Sequence, residues 1–258
     1  MPLSQLTTHT LLSLGKHPLS GRTRRAEQDA KAFELAAKLG QCLGLHAGNY
    51  QDADALKSFA GMSIAPVCIL EIEQSADPVA ALSAYFKQTK SDIILTGSQA
   101  ERGESSGMLP YLLAKSLDLP VINQVCEVEQ TEAGLNITQA LPRGARRAIS
   151  VKPPCILIID ESAPEARQTA YGAAMRAEVG KLQGYNETDT DAANFNFEDA
   201  RKKPKRMKKI KAKTAADRFK AATVSQAKGG QVIEPKTSQE GAEAILKLLK
   251  EEGLVKTN

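Results

Sequence analysis

The segment Asp92–Pro120 constrains the fold of this chain more than any other. An apolar run ends at Gly97, and a loop of small and polar residues then leads into an apolar stretch, Leu109–Leu117. This order predicts a strand, a glycine-bearing loop and a helix, the arrangement with which α/β proteins bind phosphate. Composition leaves two interpretations open. Ser105 or Ser106 could donate to a phosphate, or could cap the helix in an ordinary turn between strand and helix.

The rest of the chain continues this alternation of apolar strands and amphipathic helices. Strands are predicted at residues 9–14, 42–47, 66–72, 92–96, 121–129, 134–141 and 155–160, and helices at 26–39, 52–60, 77–89 and 108–117. Strands that alternate with helices predict an α/β fold with a doubly wound, mainly parallel sheet. The binding edge of such a sheet lies at the carboxyl ends of its strands, where Gly15, Gly48 and Gly97 are expected.

The regular alternation stops after Asp160. Residues 165–180 are Ala-rich with weak helical periodicity, and residues 184–196 predict an exposed polar loop. A helix at residues 238–252, capped by Ser238, has an apolar stripe. We therefore predict a nucleotide-binding α/β domain at residues 1–183. Residues 184–258 form a C-terminal arm and helix that lie on a partner.

A basic run, Arg201–Lys213, has nine basic residues in thirteen and no acidic residue. Such a run favours either a nucleic acid or another polyanion, or a lysine-rich arm on an acidic partner protein. No aromatic residue is interleaved with the lysines, which disfavours a platform for single-stranded nucleic acid. We therefore expect no nucleic-acid partner.

Composition excludes several other classes. No apolar run reaches the roughly 18–20 residues that a membrane span needs, and the first residues do not have the pattern of a signal peptide. The four cysteines are isolated and lie in or beside apolar segments, which favours buried thiols in a reducing compartment. The three histidines lack metal-ligand spacing, so no metal site is predicted. A bacterial cytoplasmic location follows as the expectation.

The standard nucleotide-binding motifs are missing. The sequence contains no P-loop and no G-x-G-x-x-G after its first strand, and no Ser/His/Asp set can be placed at the ends of its strands. His17 and His46 could lie near one edge of the sheet, although a lone histidine at the end of a strand is more often structural. The absence of acid–base groups favours a nucleotide-binding subunit without catalytic residues.

The order of these segments resembles the β subunit of electron-transfer flavoproteins. The similarity covers most of the chain and is closest at DIILTGSQA, residues 92–100. Further segments that match in order are residues 9–18 (HTLLSLGKHP), 26–39 (AEQDAKAFELAAKL), 45–49 (LHAGN), 117–120 (LDLP), 165–177 and the closing residues 229–255. Each motif is modestly specific, and their order and spacing together identify the family.

The resemblance implies a fold like that of the adenine nucleotide α hydrolases, with a C-terminal arm wrapped on an α subunit. It implies a heterodimer in which the α subunit holds most of the FAD and the β subunit holds a structural AMP. Electrons would pass from a flavoprotein dehydrogenase to the electron-transfer-flavoprotein quinone oxidoreductase. The chain would then be an electron carrier without catalytic residues of its own.

The resemblance also implies site residues. The AMP site maps to Leu14, Ala26, Asp29, Ala47, Gly97, Ser98, Gln99, Ala100, Gly103, Ser105, Ser106, Gly107 and Met108. The loop that docks on partners maps to Glu165, Arg167, Tyr171 and Met175, with Tyr171 in place of the family's protruding leucine. A tyrosine suits an interface anchor because it is large and amphipathic.

Several positions depart from the family pattern. Ala26-Glu27 replaces an Asn-Pro, residues 101–104 (ERGE) replace a run of aspartates, and Arg147 replaces a glutamate. These changes suggest a divergent paralogue that serves a dedicated dehydrogenase, with one that oxidises a methylated amine as a candidate.

Two other functions fit parts of the chain. A universal-stress-type ATP-binding regulator would share the fold group, but such domains lack a long segment after residue 184. A polyanion-binding protein would act through the basic run Arg201–Lys213.

Overall fold

We describe a computed structural model of the chain. It describes residues 6–17, 19–190, 192–196, 198, 214–216, 219, 234–235 and 237–251. The chain divides into two compact units, Met1–Phe197 and Glu198–Asn258. The basic run Arg201–Lys213 lies outside the described residues, so the two predictions attached to it stay open.

The first unit is built on a nine-stranded sheet in the order β11-β5-β4-β1-β6-β10-β7-β8-β9, and β2 and β3 form a separate hairpin. The strands are β1 (Leu6–Leu11), β2 (Leu14–Lys16), β3 (Thr23–Arg25), β4 (Gly40–Gly48), β5 (Val67–Glu71), β6 (Ile93–Gly97), β7 (Val121–Thr131), β8 (Gly134–Ala140), β9 (Arg146–Val151), β10 (Cys155–Ile159) and β11 (Gly180–Gln183). Strands β11 through β7 in this order are parallel, whereas β8 and β9 are added antiparallel.

The centre of the sheet determines where a ligand can bind. The chain runs from β1 to β4 and β5 on one side, then returns to place β6 and later β10 on the other. The order of strands therefore reverses between β1 and β6, which pair through Thr8–Ile93 and Thr10–Leu95. In a doubly wound sheet, a crevice opens at the carboxyl edge where this reversal occurs.

Helices cover both faces of this sheet. In the first unit the helices are α1 (Glu27–Ala36), α2 (Ala53–Ala60), α3 (Pro78–Gln88), α4 (Leu109–Leu117) and α5 (Tyr171–Arg176). The second unit has a helix of its own, α6 (Ser238–Glu251). Helices α1 and α2 pack on one face through Phe33 and Phe59, and α3 and α4 pack on the other through Leu82 and Leu113. Strands β6 and β10 are buried along their whole length, as strands covered on both faces must be.

The α/β class and the mainly parallel sheet predicted from the sequence are confirmed. Gly48 and Gly97 are the last residues of their strands, as expected, and Asp77 caps α3 by accepting from the Val79 N–H at 2.7 Å.

Other predicted boundaries are wrong. The strand expected at residues 9–14 is two strands, β1 and β2, and the loop that precedes α1 contains β3. Strands β9 and β11 were not predicted, and within residues 165–180, where the helical periodicity is weak, the helix is the short α5. The hydroxyl of Thr237, not of Ser238, accepts from the Glu240 N–H near the start of α6.

All four cysteines are free thiols, as predicted. Cys126 and Cys155 are buried, whereas Cys42 and Cys68 are half-buried, so the expectation of burial holds fully for only two of them. None of the helices in the described part of the chain combines the length and the apolar composition that a membrane crossing requires.

The core packing gives a first prediction. Leu95 is fully buried between α1 and the sheet, whereas Leu112 on α4 is 45% exposed. Leu95→Ala is expected to lower the free energy of unfolding by about 2–5 kcal/mol, because it leaves a cavity in a close-packed layer. Leu112→Ala is the matched control, with an expected loss of about 1 kcal/mol or less. Urea unfolding followed by circular dichroism measures both, and equal losses would contradict this assignment of the core.

Candidate functional site

A buried carboxylate connects three elements at the reversal of strand order. Asp29, in the first turn of α1, is 5% exposed. Its Oδ1 accepts from the Gly97 N–H at 2.9 Å, and its Oδ2 accepts from the Ser13 N–H at 2.6 Å and from the Ser13 hydroxyl. A side chain at position 97 would overlap the Asp29 carboxylate and lie 3.0 Å from Cβ of Gln28. Glycine is therefore required where β6 meets α1.

Burial shifts the ionisation of this carboxylate. Loss of solvent raises the pKa of Asp29 to about 6, although the hydrogen bonds from Ser13 and Gly97 favour the charged form. The neighbouring Glu101 carboxylate adds a smaller effect in the raising direction. Asp29 thus joins α1, Ser13 and Gly97 through its charged form, although burial disfavours that form.

The residue before Asp29 extends this attachment into the loop. Gln28 Oε1 accepts from the Ser98 N–H at 3.0 Å and also from the Ser98 hydroxyl. Two successive side chains of α1 therefore bind the last residue of β6 and the residue after it. The start of the loop is fixed to α1, and the Gly97 and Ser98 N–H groups already have acceptors.

Glu101 places a second carboxylate at the start of α1. It accepts from the Glu27 N–H at 3.2 Å and forms an ion pair with Arg24 of β3 at 3.1 Å. Its carboxylate lies directly on Gly15 of β2, where any side chain would overlap it. A carboxylate at a helix N-terminus is favoured by the free N–H groups and by the helix dipole.

The second part of the loop folds back on itself. The Ser105 hydroxyl donates to the Ala100 carbonyl at 2.7 Å, and the Gln99 side-chain amide donates to the Ser105 carbonyl. Gly103 and Gly107 have φ of +78° and +73°, in the left-handed region that glycine adopts without strain. Ser105 adopts the same region at φ +53°.

Solvent reaches both parts of the loop: residues 98–104, Ser106 and Met108 are exposed, and Ser105 and Gly107 are half-buried. The space beside the Gly103 Cα is open, and Met108 precedes α4 without a side-chain cap on the helix. In the described part of the chain, no acceptor is bound to the amide N–H groups of residues 99–107. From residue 99 onward the loop therefore keeps its N–H donors available ahead of α4.

The residues assigned to an AMP site follow β1, β4 and β6, three neighbouring strands, at one edge of the sheet. Leu14 and Ala26 are buried in the core, and Asp29 is bound within the chain. Ala47 is half-buried near the end of β4. The remaining members are half-buried or exposed loop residues, apart from the buried Gly97: Ser98, Gln99, Ala100, Gly103, Ser105, Ser106, Gly107 and Met108. Their role in binding AMP stays a prediction.

Sequence reasoning missed two residues that build this edge, Ser13 and Arg24. Ser13 lies 16 residues from Asp29, and Arg24 lies 77 residues from Glu101, so no short motif contains either pair. His46 was expected near this edge, and its Nδ1 donates to the Leu12 carbonyl oxygen at 2.8 Å. Because that atom faces a carbonyl, it carries the proton, and burial lowers the pKa of the ring.

The segment assigned to partner docking is held on the outer side of α1. The Arg167 guanidinium forms a bidentate ion pair with Glu34 at 2.7 and 2.8 Å. Lys31, which is nearly buried, pairs with the Glu165 carboxylate at 2.9 Å, and Arg25 donates to the Arg167 carbonyl at 2.9 Å. Glu165 and Arg167 thus bind the chain itself.

Helix α5 follows this segment and presents two apolar side chains to solvent. Tyr171 is 78% exposed and Met175 is 60% exposed, and their spacing of four puts them on one side of the helix. The Thr169 hydroxyl donates to the Ser58 carbonyl at 2.7 Å and fixes the start of α5 against α2. The assigned docking residues therefore divide into two that hold the segment and two that project from it.

The raised pKa of Asp29 gives a second prediction. Its folded value, about 6, lies above the ordinary value of 3.8, so the native state binds this proton more tightly than the unfolded chain. The stability contributed by Asp29 is therefore fully present below about pH 4 and is lost as the pH rises through about 6. The loss amounts to about 3 kcal/mol.

Asp29→Asn removes this titration. The difference in unfolding free energy between wild type and the variant is expected to be about 3 kcal/mol larger near pH 4 than near pH 7.5. Urea unfolding across this range measures it, and Glu104→Gln, at an exposed carboxylate of the same loop, is the control. A difference that does not change with pH would contradict the assignment.

Comparisons with known proteins agree with this architecture. The family model of the electron transfer flavoprotein domain matches residues 25–189. The electron transfer flavoprotein subunit beta of Chromohalobacter salexigens is 41% identical over 257 residues, which covers 97% of this chain and 96% of that protein. The chain belongs to the electron transfer flavoprotein family, in its β-subunit branch.

Proposed function

We propose that this chain is the β subunit of an FAD-containing heterodimer that carries electrons from a flavoprotein dehydrogenase to the electron-transfer-flavoprotein quinone oxidoreductase. The observation that carries the proposal is the 41% identity to a protein named electron transfer flavoprotein subunit beta over nearly the whole of both chains. Residues 1–183 form the nucleotide-binding domain, and residues 184–258 form the arm that packs on the α subunit. A dehydrogenase that oxidises a methylated amine is the candidate donor.

The loop Gly97–Met108 is proposed to hold AMP as a structural nucleotide. Gly103 and Gly107 let the backbone approach an anion closely, and the open donors of residues 99–107 precede α4. Ser106 adds a hydroxyl beside the Met108 N–H. This donor set fits a phosphate group. Leu14 and Ala26 are buried in the core, so we propose that they support the loop through packing and do not contact the nucleotide with their side chains.

The chain's own residues hold and orient rather than react. FAD, held mainly by the α subunit, supplies the one-electron and two-electron chemistry when it is bound. Asp29 and Gln28 fix the nucleotide loop to α1, and Glu34 and Lys31 fix the docking segment to the same helix. The free thiols suit a reducing compartment, in keeping with a cytoplasmic location in a bacterium.

The small molecules bound by the purified complex test the proposal. The chain is co-expressed with its α subunit, the complex is denatured, and the released molecules are identified by mass spectrometry. One FAD and one AMP per heterodimer is the expected result. A chain that remains a monomer without a flavoprotein partner would sink the proposal. Two FAD molecules per heterodimer would show that the β subunit holds a second flavin in place of AMP. One FAD and no AMP would overturn the proposal that the β subunit holds a nucleotide.

The exposed side chains of α5 give a further prediction. Tyr171→Ala is expected to lower the second-order rate of electron transfer from the dehydrogenase about tenfold or more, because an aromatic anchor of an interface is removed. The FAD content and the melting temperature are expected to stay unchanged, since Tyr171 is 78% exposed.

Tyr185→Ala is the matched control, because Tyr185 is also exposed, at 55%, and lies outside α5. Stopped-flow reduction of the heterodimer by its dehydrogenase measures both variants. Equal rates for the two variants would remove Tyr171 from the docking surface.

A further inference from the structure

The turn between β8 and β9 concentrates positive charge. Residues 143–147, which we call the arginine turn, read Arg-Gly-Ala-Arg-Arg, and all five are exposed. Arg143, Arg146 and Arg147 form no ion pair in the part of the chain that the structure describes. Three unpaired like charges within five residues repel one another, so the chain by itself gains nothing from placing them together.

The backbone of the arginine turn is held in a tight conformation. The Leu141 N–H donates to the Ala145 carbonyl at 2.9 Å, and Gly144 has a φ of +78°. Arg143 lies in the left-handed region as well, at φ +61°. A glycine would occupy that position with less strain, so the turn keeps an arginine side chain where backbone conformation favours none.

Arg147 is oriented by a buried polar side chain. Its Nε donates to Oε1 of Gln139 at 3.0 Å, and its Nη2 donates to the same oxygen. Gln139 is 5% exposed, and its Nε2 donates to the carbonyl and to Oδ1 of Asn123 at 2.8 and 2.9 Å. One edge of the guanidinium is therefore fixed, and its remaining N–H groups are preorganised for an acceptor outside the chain.

The strand register places the arginine turn at the carboxyl edge of the sheet. Arg147 lies opposite Gln139, Gln139 lies opposite Val125, and Val125 lies opposite Ile159, the last residue of β10. The assigned docking helix α5 belongs to the other end of the strand order, because it packs on α2 and α2 packs on β5. The arginine turn and α5 are therefore separate surfaces, which fit two different partners.

The directions of the arginine side chains favour a protein surface over a compact anion. Successive residues of a strand project to opposite faces, so Arg146 and Arg147 cannot both converge on one phosphate. Arg147 shares the face of the buried Gln139, and Arg146 projects from the other face. Glu127 of β7 lies on the same face as Arg146 and forms no ion pair in the described residues. Diverging cations of this kind match several carboxylates spread over a surface.

We propose that the arginine turn is an interaction surface for an acidic segment of the α subunit, whose carboxylates pair with Arg143, Arg146 and Arg147. Arginine suits this role because a guanidinium binds a carboxylate through two parallel hydrogen bonds. The dehydrogenase is proposed to dock at α5, which leaves the α subunit as the partner for the opposite end of the strand order. This inference rests on the proposed heterodimer and names the chemistry of one of its contacts.

The dissociation constant of the heterodimer tests the inference. The full chain is co-expressed with its α subunit, and sedimentation of a dilution series measures the constant at about 0.05 M and about 0.5 M salt. The double variant Arg143→Glu with Arg146→Glu is expected to raise it about tenfold or more at low salt, because both charges are reversed. The difference is expected to shrink at high salt, since salt screens exposed charges.

Two further variants separate the charge of the turn from other effects. Arg176→Glu reverses an exposed arginine of α5 that has no ion pair in the described part of the chain, and its constant is expected to stay within about twofold of wild type. Arg143→Gly removes one charge and suits the left-handed backbone, so it keeps the test decisive if the double variant does not fold. Its constant is expected to rise about threefold or more at low salt.

The outcomes distinguish this inference from the proposed function. A wild-type heterodimer whose constant neither turn variant changes, or that Arg176→Glu weakens equally, would overturn the inference and leave the proposed function in place. A wild-type chain that forms no heterodimer would overturn both.

Two other readouts identify a different occupant. Turn variants with a normal dissociation constant and slower reduction by the dehydrogenase would assign the turn to that enzyme. Turn variants with a normal constant and a loss of bound FAD would assign it to the phosphates of the cofactor. Either result would overturn a contact with an acidic segment of the α subunit.

Discussion

The hydrogen bonds of one buried carboxylate position the rest of the candidate site. Asp29 joins the first turn of α1 to Ser13, the second residue after β1, and to the last residue of β6. These are the two central strands between which the strand order reverses, so the crevice of the fold opens where Asp29 lies. The loop that follows Gly97 therefore starts from a fixed point.

Helix α1 connects the two candidate regions of the molecule. Its first turn binds the loop Gly97–Met108 through Gln28 and Asp29, and Lys31 and Glu34 bind the segment that carries Glu165 and Arg167. A nucleotide that stiffens the loop would also restrain this helix, because the helix and the loop share buried hydrogen bonds. This coupling gives a physical reason why a nucleotide with no part in the chemistry would be held by an electron carrier.

The sequence predicted those features that depend on patterns of neighbouring residues. Apolar runs separated by amphipathic helices were sufficient for the α/β class, and glycines after those runs indicated the edge of the sheet. Strands β3 and β9 were not predicted, because neither has the run of buried apolar residues that marks a central strand. The bridge from Asp29 to Gly97 spans 68 residues, and only the strand order brings the two together.

Asp29 is a costly choice for a buried position, since burial raises its pKa to about 6. An apolar residue would avoid that cost but would leave the N–H groups of Ser13 and Gly97 without acceptors. Asparagine has one acceptor oxygen, and its amide group would face a second donor. Only a carboxylate offers acceptors to all three donors at once. Its position at the reversal of strand order explains this carboxylate, because the loop that we propose to bind an anion needs a fixed origin more than it needs the last increment of stability.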